Sequence, residues 1–113
     1  MRLWALLLAA AIAGGQAWAA GVRNPTNDSL LAMPEKQRIE MLAGLTHKKC
    51  VGTRAFMMGM TPSGPARGTA YWSIACEDGH SYVIQINRDK KGTSFVADCK
   101  ALEGSGRECF ARF

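Results

Sequence analysis

The stretch Ala75–Ile86, ACEDGHSYVIQI, decides the fold. Glu77, Asp78, His80 and Ser81 stand in a row inside otherwise apolar sequence. On one side, Trp72, Ile74 and Cys76 alternate with Ser73 and Ala75; on the other, Tyr82, Ile84 and Ile86 alternate with Val83 and Gln85. Period-two alternation marks half-buried strands, since successive side chains leave opposite faces. Asp78-Gly79 between them is a hairpin signal, because both residue types tolerate positive φ. The reading is strand, tight turn, strand, with Glu77, Asp78 and His80 splayed at the turn tip.

Working outward, Val51–Met60 gives a strand before this hairpin. The loop MTPSGPARG joins the two, and its paired prolines and glycines rule out a regular element. RDKKG, Arg88–Gly92, is a second turn, and Thr93–Cys99 is a fourth strand. KALEGSGRECFARF closes the sequence, with one helical turn ahead of the Gly-Ser-Gly loop and with Phe110 and Phe113 packing onto sheet or helix. Strands this close in sequence form an antiparallel meander. Ahead of them, Pro34 suits a first helical position and Glu35 suits the helix dipole. Leu31, Ile39, Leu42 and Leu45 share one face, and Gly44 is a terminator. A helix over about 34–43 follows. One helix on one face of the sheet is a two-layer α+β domain.

The first residues, MRLWALLLAAAIAGGQAWAAG, carry Arg2, an apolar run over Leu3–Ala13, and Ala17 and Ala19 in an A-x-A arrangement. That is the pattern of a secretory signal peptide over residues 1–19. The run is short for a bilayer span, which takes about 20 apolar residues. No later segment is apolar enough to span. Cleavage leaves 94 of the 113 residues: an N-terminal arm over 20–33, loose where Gly21–Asn27 offers little to bury, and a domain over 34–113. Losing Arg2 lowers the formal charge from +5 to +4. That mild excess favours solubility and an acidic partner, and lacks the concentrated basic stripe of a nucleic-acid binder.

All four cysteines, Cys50, Cys76, Cys99 and Cys109, lie in the part after the signal. An even count in a small exported chain implies disulfides, and no C-x-x-C or close Cys/His pair suggests zinc. In the meander, Cys50 precedes the first strand and Cys76 ends the second, so they are neighbours. Cys99 and Cys109 would then tie the closing segment to the fourth strand. The alternative joins Cys76 to Cys99 and leaves Cys50 with Cys109. Each bridge contributes about 2–4 kcal/mol.

Three function classes compete. The first is a non-catalytic binding or accessory protein of the bacterial envelope, periplasmic or secreted, acting on a protein or envelope component. Its surface would be Arg54, Arg67, Tyr71 and the Thr61–Gly68 loop, with Tyr71 facing outward because Trp72 faces the core. An exposed aromatic beside arginine is a productive contact point, and long loops carry contacts. The second is a small hydrolase or nuclease. His47, Glu77 and His80, with Lys48 and Lys49 nearby, would need to converge for general acid–base cleavage. The third is a copper-binding protein using Met57, Met58 and Met60, because thioether sulfur is a soft ligand. Alternation sets Met58 and Met60 on one face with Phe56, and Met57 on the other, which also suits plain core filling. No phosphate-binding glycine loop, haem motif, calcium loop or serine-nucleophile motif stands in the chain, so no cofactor is expected.

The helix followed by YVIQINRDKKGTSFVADC resembles the strand-turn-strand of small exported PepSY-like domains, over less than a third of the mature chain. The cysteines have no counterpart in that pattern, and no residue role carries over from it.

Overall fold

The computed structural model describes residues 23–113. The signal-peptide pattern over 1–19 and the start of the arm lie outside the described residues. The elements run in the order α1 (Pro25–Ala32), α2 (Glu35–Leu45), β1 (Gly52–Met60), β2 (Ala70–Cys76), β3 (Ser81–Ile86), β4 (Ser94–Asp98) and a 3₁₀ turn (Cys99–Leu102). The sheet is a four-stranded meander in the order β1-β2-β3-β4, with each pair antiparallel. The α+β class and the four strands are those the alternation implies.

The first helix is the main addition. Residues 25–32 are helical, where the sequence reading has an N-terminal arm over 20–33 that is loose over Gly21–Asn27. Asn24-Pro25 reads as a turn but works here as a cap followed by a first helical residue. Asn24 Oδ1 accepts the Asn27 backbone N–H at 3.1 Å. The helix stops at Met33, whose ψ of 150° is the extended conformation that a following proline imposes. Because α1 is a separate helix, its buried apolar residue is Leu30, at 1 % exposure, and the expected Leu31 is 48 % exposed.

In α2, Leu42 is buried and Ile39 and Leu45 pack against the core. The helix runs through Gly44 to Leu45, two residues beyond the expected end. His47, at φ 55°, takes the left-handed conformation past the cap that a glycine more often occupies. Thr46 Oγ1 donates to Ala43 O at 2.7 Å and closes the last turn.

The core lies between the helices and one face of the sheet. Ala70, Trp72, Ile74, Ile84 and Ile86 meet Leu30, Leu42 and Ala43 there. A polar network is buried beside it. Asn24 Nδ2 donates to Gly68 O at 2.8 Å and Ile86 O at 3.0 Å, and the Trp72 indole N–H donates to Asn27 Oδ1 at 2.6 Å. Arg38 of α2 donates to the carbonyls of Leu30, Leu31 and Met33 at the C-terminal end of α1, and its guanidinium lies 5.7 Å from the Trp72 ring.

Both disulfides follow the first pairing. Cys50–Cys76 joins the start of β1 to the end of β2 with Cα atoms 5.1 Å apart, and Cys99–Cys109 closes the last segment at 6.0 Å. The alternative pairing of Cys76 with Cys99 does not form.

Candidate functional site

The second face of the sheet is only partly covered. After the 3₁₀ turn the chain makes a tight loop, in which Ser105 Oγ donates to Leu102 O and accepts from Arg107 N–H. The disulfide returns it to β4. Residues 110–113 then cross β2 and β1. Phe110, at φ 60°, donates its N–H to Ser73 Oγ at 3.0 Å, and the Phe113 N–H reaches Met58 O at 3.3 Å. The Phe113 ring meets Tyr71 edge-on, with centroids 5.5 Å apart.

This strap covers β1 and β2 and leaves β3 and β4 open. Between them lies a groove of about 420 Å³. Val83 and Ala97 lie on its β3–β4 side, with Met58 and Tyr71 on the β1–β2 side. Phe95 and Phe113 also line it and are 63 % and 50 % exposed. Leu102 and Arg107 of the loop and Thr61-Pro62 of the β1–β2 loop close its ends. The volume falls in the range of about 300–1,000 Å³ typical of small-molecule sites. Among the described residues, Arg107 is the one charged side chain lining the groove, and its guanidinium lies 4.8 Å from the Phe113 ring. A wider space under the loop adjoins it, with Glu103, Glu108 and Arg112 on its walls.

The expected contact residues divide. Tyr71 lines the groove. Arg54 lies on the same face of the sheet but at its far end, with its guanidinium 4.5 Å from the Phe110 ring. Arg67 is exposed in the β1–β2 loop and does not line the groove. Thr61 and Pro62 carry the loop's share of the groove.

The polar row of the opening stretch is a turn. Gly79 N–H donates to Cys76 O at 3.1 Å, and Cys76 N–H donates to His80 O at 2.8 Å. Only Gly79, at φ 91°, is left-handed. This is a type I turn followed by a glycine bulge, where a two-residue turn would need Asp78 at positive φ as well. Asp78 caps it: Oδ1 accepts the His80 backbone N–H at 3.0 Å, and Oδ2 lies 3.1 Å from His80 Nδ1. The backbone N–H of His80, followed by its side chain, holds the Asp78 carboxyl below its ordinary value. His80 also stacks over Tyr82. Among the described residues, no hydrogen bond or ion pair joins His47, Glu77 and His80, and no three His, Cys, Asp or Glu side chains gather as a ligand set.

The methionines are also divided. A bulge between Met57 and Gly59 shifts the β1 register and breaks the alternation. Met57 and Met60 pack against the helix-side core, and Met58 is buried on the groove side. The expected pairing of Met58 with Met60 on one face is corrected by that one extra residue.

Phe95, Val83, Gln85, Leu102 and Arg107 were not singled out from the sequence. Phe95 carried a usable signal: on a strand whose Val96 faces the core, a large aromatic on the other face needs a cover. Arg107 carried none, because its position depends on the disulfide and the Ser105 turn. Comparison with known protein families, curated proteins and solved structures finds no match to this chain. Among the described residues, no helix is long and apolar enough to cross a membrane.

Proposed function

We propose that this chain is a small, exported, non-catalytic binding protein of the cell envelope, and that it binds through the groove on the second face of the sheet. The groove itself carries the reading. Two aromatic rings stand half-exposed or more beside an apolar floor, on a face whose other half is already covered by the chain's own Phe110–Phe113 strap. Large apolar groups grouped in this way mark interaction sites. The two disulfides and the signal-peptide pattern support an oxidising compartment, the periplasm or the exterior.

The test is photocrosslinking in the producing cell, with a benzophenone amino acid at Phe95 and, as control, at Leu31 on α1. A discrete adduct at Phe95 that is missing at Leu31 supports the reading. No adduct at Phe95, or the same adducts at both positions, sinks it. The intact mass of the same preparation reports export: it should lack residues 1–19 and gain four hydrogens on reduction of the two bridges.

A further inference from the structure

We infer that the groove holds a single-chain alkyl carboxylate, with the hydrocarbon chain over Val83 and Ala97 and the carboxylate at Arg107. This rests on the reading of the second face as the binding face and names the ligand class it takes.

Three observations select this class. The floor is the face of the sheet: β3 is paired on both sides, and β4 is the edge strand, paired with β3 alone. An extended peptide gains affinity by pairing with an open edge, and that row lies along the outer side of β4, while the groove floor offers the side chains of Val83 and Ala97. A hydrocarbon chain needs no backbone partner. It would cover Phe95 and Phe113, which are 63 % and 50 % exposed, and gain the transfer free energy of that apolar surface.

The charge selects the head group. Among the described residues, Arg107 is the one charged side chain lining the groove, and no carboxylate pairs with it. A planar guanidinium binds a carboxylate through two parallel hydrogen bonds. One positive charge matches one negative charge. A phosphate monoester, at about −1.5 to −2, exceeds the single positive charge that lines the groove. A nucleic acid requires many cations along a track, and this groove has one.

The groove is open along its length, so the chain enters sideways without any element moving. The polar groups within reach are few: the hydroxyls of Tyr71 and Thr61 and the amide of Gln85, whose Nε2 already donates to Asn87 Oδ1 at 2.9 Å. That fits a ligand with one polar end.

The experiment is an NMR titration of the disulfide-intact protein with sodium dodecanoate below its micelle concentration, with dodecanol, dodecyl phosphate and dodecyltrimethylammonium in parallel. Dodecanoate should shift the methyl signals of Val83, Ala97 and Leu102 and leave those of Ile84 and Ile86, on the opposite face, in place. Arg107→Gln should weaken dodecanoate roughly tenfold and dodecanol by less than about twofold, since only the charge-assisted hydrogen bonds are lost. Phe95→Ser, at an exposed position that folding tolerates, should weaken both. Equal dodecanoate affinity in Arg107→Gln, shifts outside the groove, or tighter binding of the phosphate or the ammonium would each overturn the inference. If dodecanoate fails while crosslinking at Phe95 still gives a discrete adduct, the ligand class is wrong and the binding face stands. If both fail, the binding face falls as well.

Discussion

The Trp72 indole N–H and Asn27 Oδ1 lie 2.6 Å apart, and this bond pins α1 to the centre of the sheet across 45 residues of sequence. The Nδ2 of the same Asn27 is buried with no partner, so the residue satisfies one buried group and orphans another. Asn24 beside it is fully used: it caps α1 and fills two buried backbone carbonyls, Gly68 O and Ile86 O.

The two asparagines should therefore differ in cost. Asn24→Ala strands two buried acceptors and removes a cap, and should lose about 3 kcal/mol. Asn27→Ala strands one donor but removes an orphaned amide, and should lose about 1 kcal/mol. Urea unfolding followed by the fluorescence of Trp72, the one tryptophan among the described residues, measures both. Equal losses would mean that the network does not act as drawn.

Gly52 sits where α2 crosses the start of β1. A Cβ there would lie 2.5 Å from Ile39 Cγ2, 3.2 Å from Ile39 O and 3.3 Å from Ala43 Cβ. Gly52→Ala should push the helix off the strand and destabilise by about 1–3 kcal/mol, the range for an overpacked core. Ile39→Val keeps that methyl and should not help; Ile39→Ala removes it and should recover part of the loss in the double variant. A Gly52→Ala protein as stable as wild type would place the helix further from β1.

The meander, its turns and the cysteine pairing were legible because each follows from local rules. Ile84 and Ile86 alternate with Val83 and Gln85, Asp78-Gly79 must turn, and the antiparallel pairing of β1 with β2 brings Cys76 back beside Cys50. What escaped depends on groups far apart in sequence or on a single residue's register. Asn24-Pro25 is ambiguous between turn and cap until α1 has something to pack on, and that something is Trp72, Arg38 and the Ile86 carbonyl. Met60 changes faces with the bulge, which no alternation rule reveals. The groove was half legible. Tyr71 was placed outward by the position of Trp72, and Phe95 is set on the same face by the pairing of β4 with β3, but Arg107 and Phe113 join them only after the Cys99–Cys109 bridge folds the last residues back.

That bridge should control the groove more than the fold. In the loop-entropy picture, sequence separations of 10 and 26 give about 2.7 kcal/mol for Cys99–Cys109 and about 3.5 kcal/mol for Cys50–Cys76. Replacing Cys99 and Cys109 by Ser should leave the Trp72 core intact while the Phe110–Phe113 strap loosens. The aromatic signals of Tyr71 should then lose the ring-current shift from Phe113, which meets it edge-on in the native protein. If Tyr71 is unchanged in the double-serine protein, the strap is held by Ser73 and Met58 alone and the bridge is dispensable to it.

The β3–β4 turn gives a pH dependence of defined sign. The Asp89 carboxylate accepts the Thr93 hydroxyl and, at 2.9 Å, the Thr93 backbone N–H, and Asn87 Nδ2 donates to the same hydroxyl at 3.0 Å. The Thr93 side chain first, and then its backbone N–H, hold the Asp89 carboxyl below its ordinary value of 3.8. A carboxyl depressed in the folded state contributes stability that is fully present above its unfolded value and is lost as pH falls through the folded one. The contribution should therefore be constant from neutral pH down to about pH 5 and vanish in strong acid. Amide exchange at Thr93 reads this locally. At neutral pH Asp89→Ala should exchange faster there than wild type. The two should converge as acid protonates the wild-type carboxylate, once the intrinsic pH dependence of exchange is divided out. A gap between them that persists at the lowest pH would show that the turn is held by Asn87 and the backbone, without the Asp89 charge.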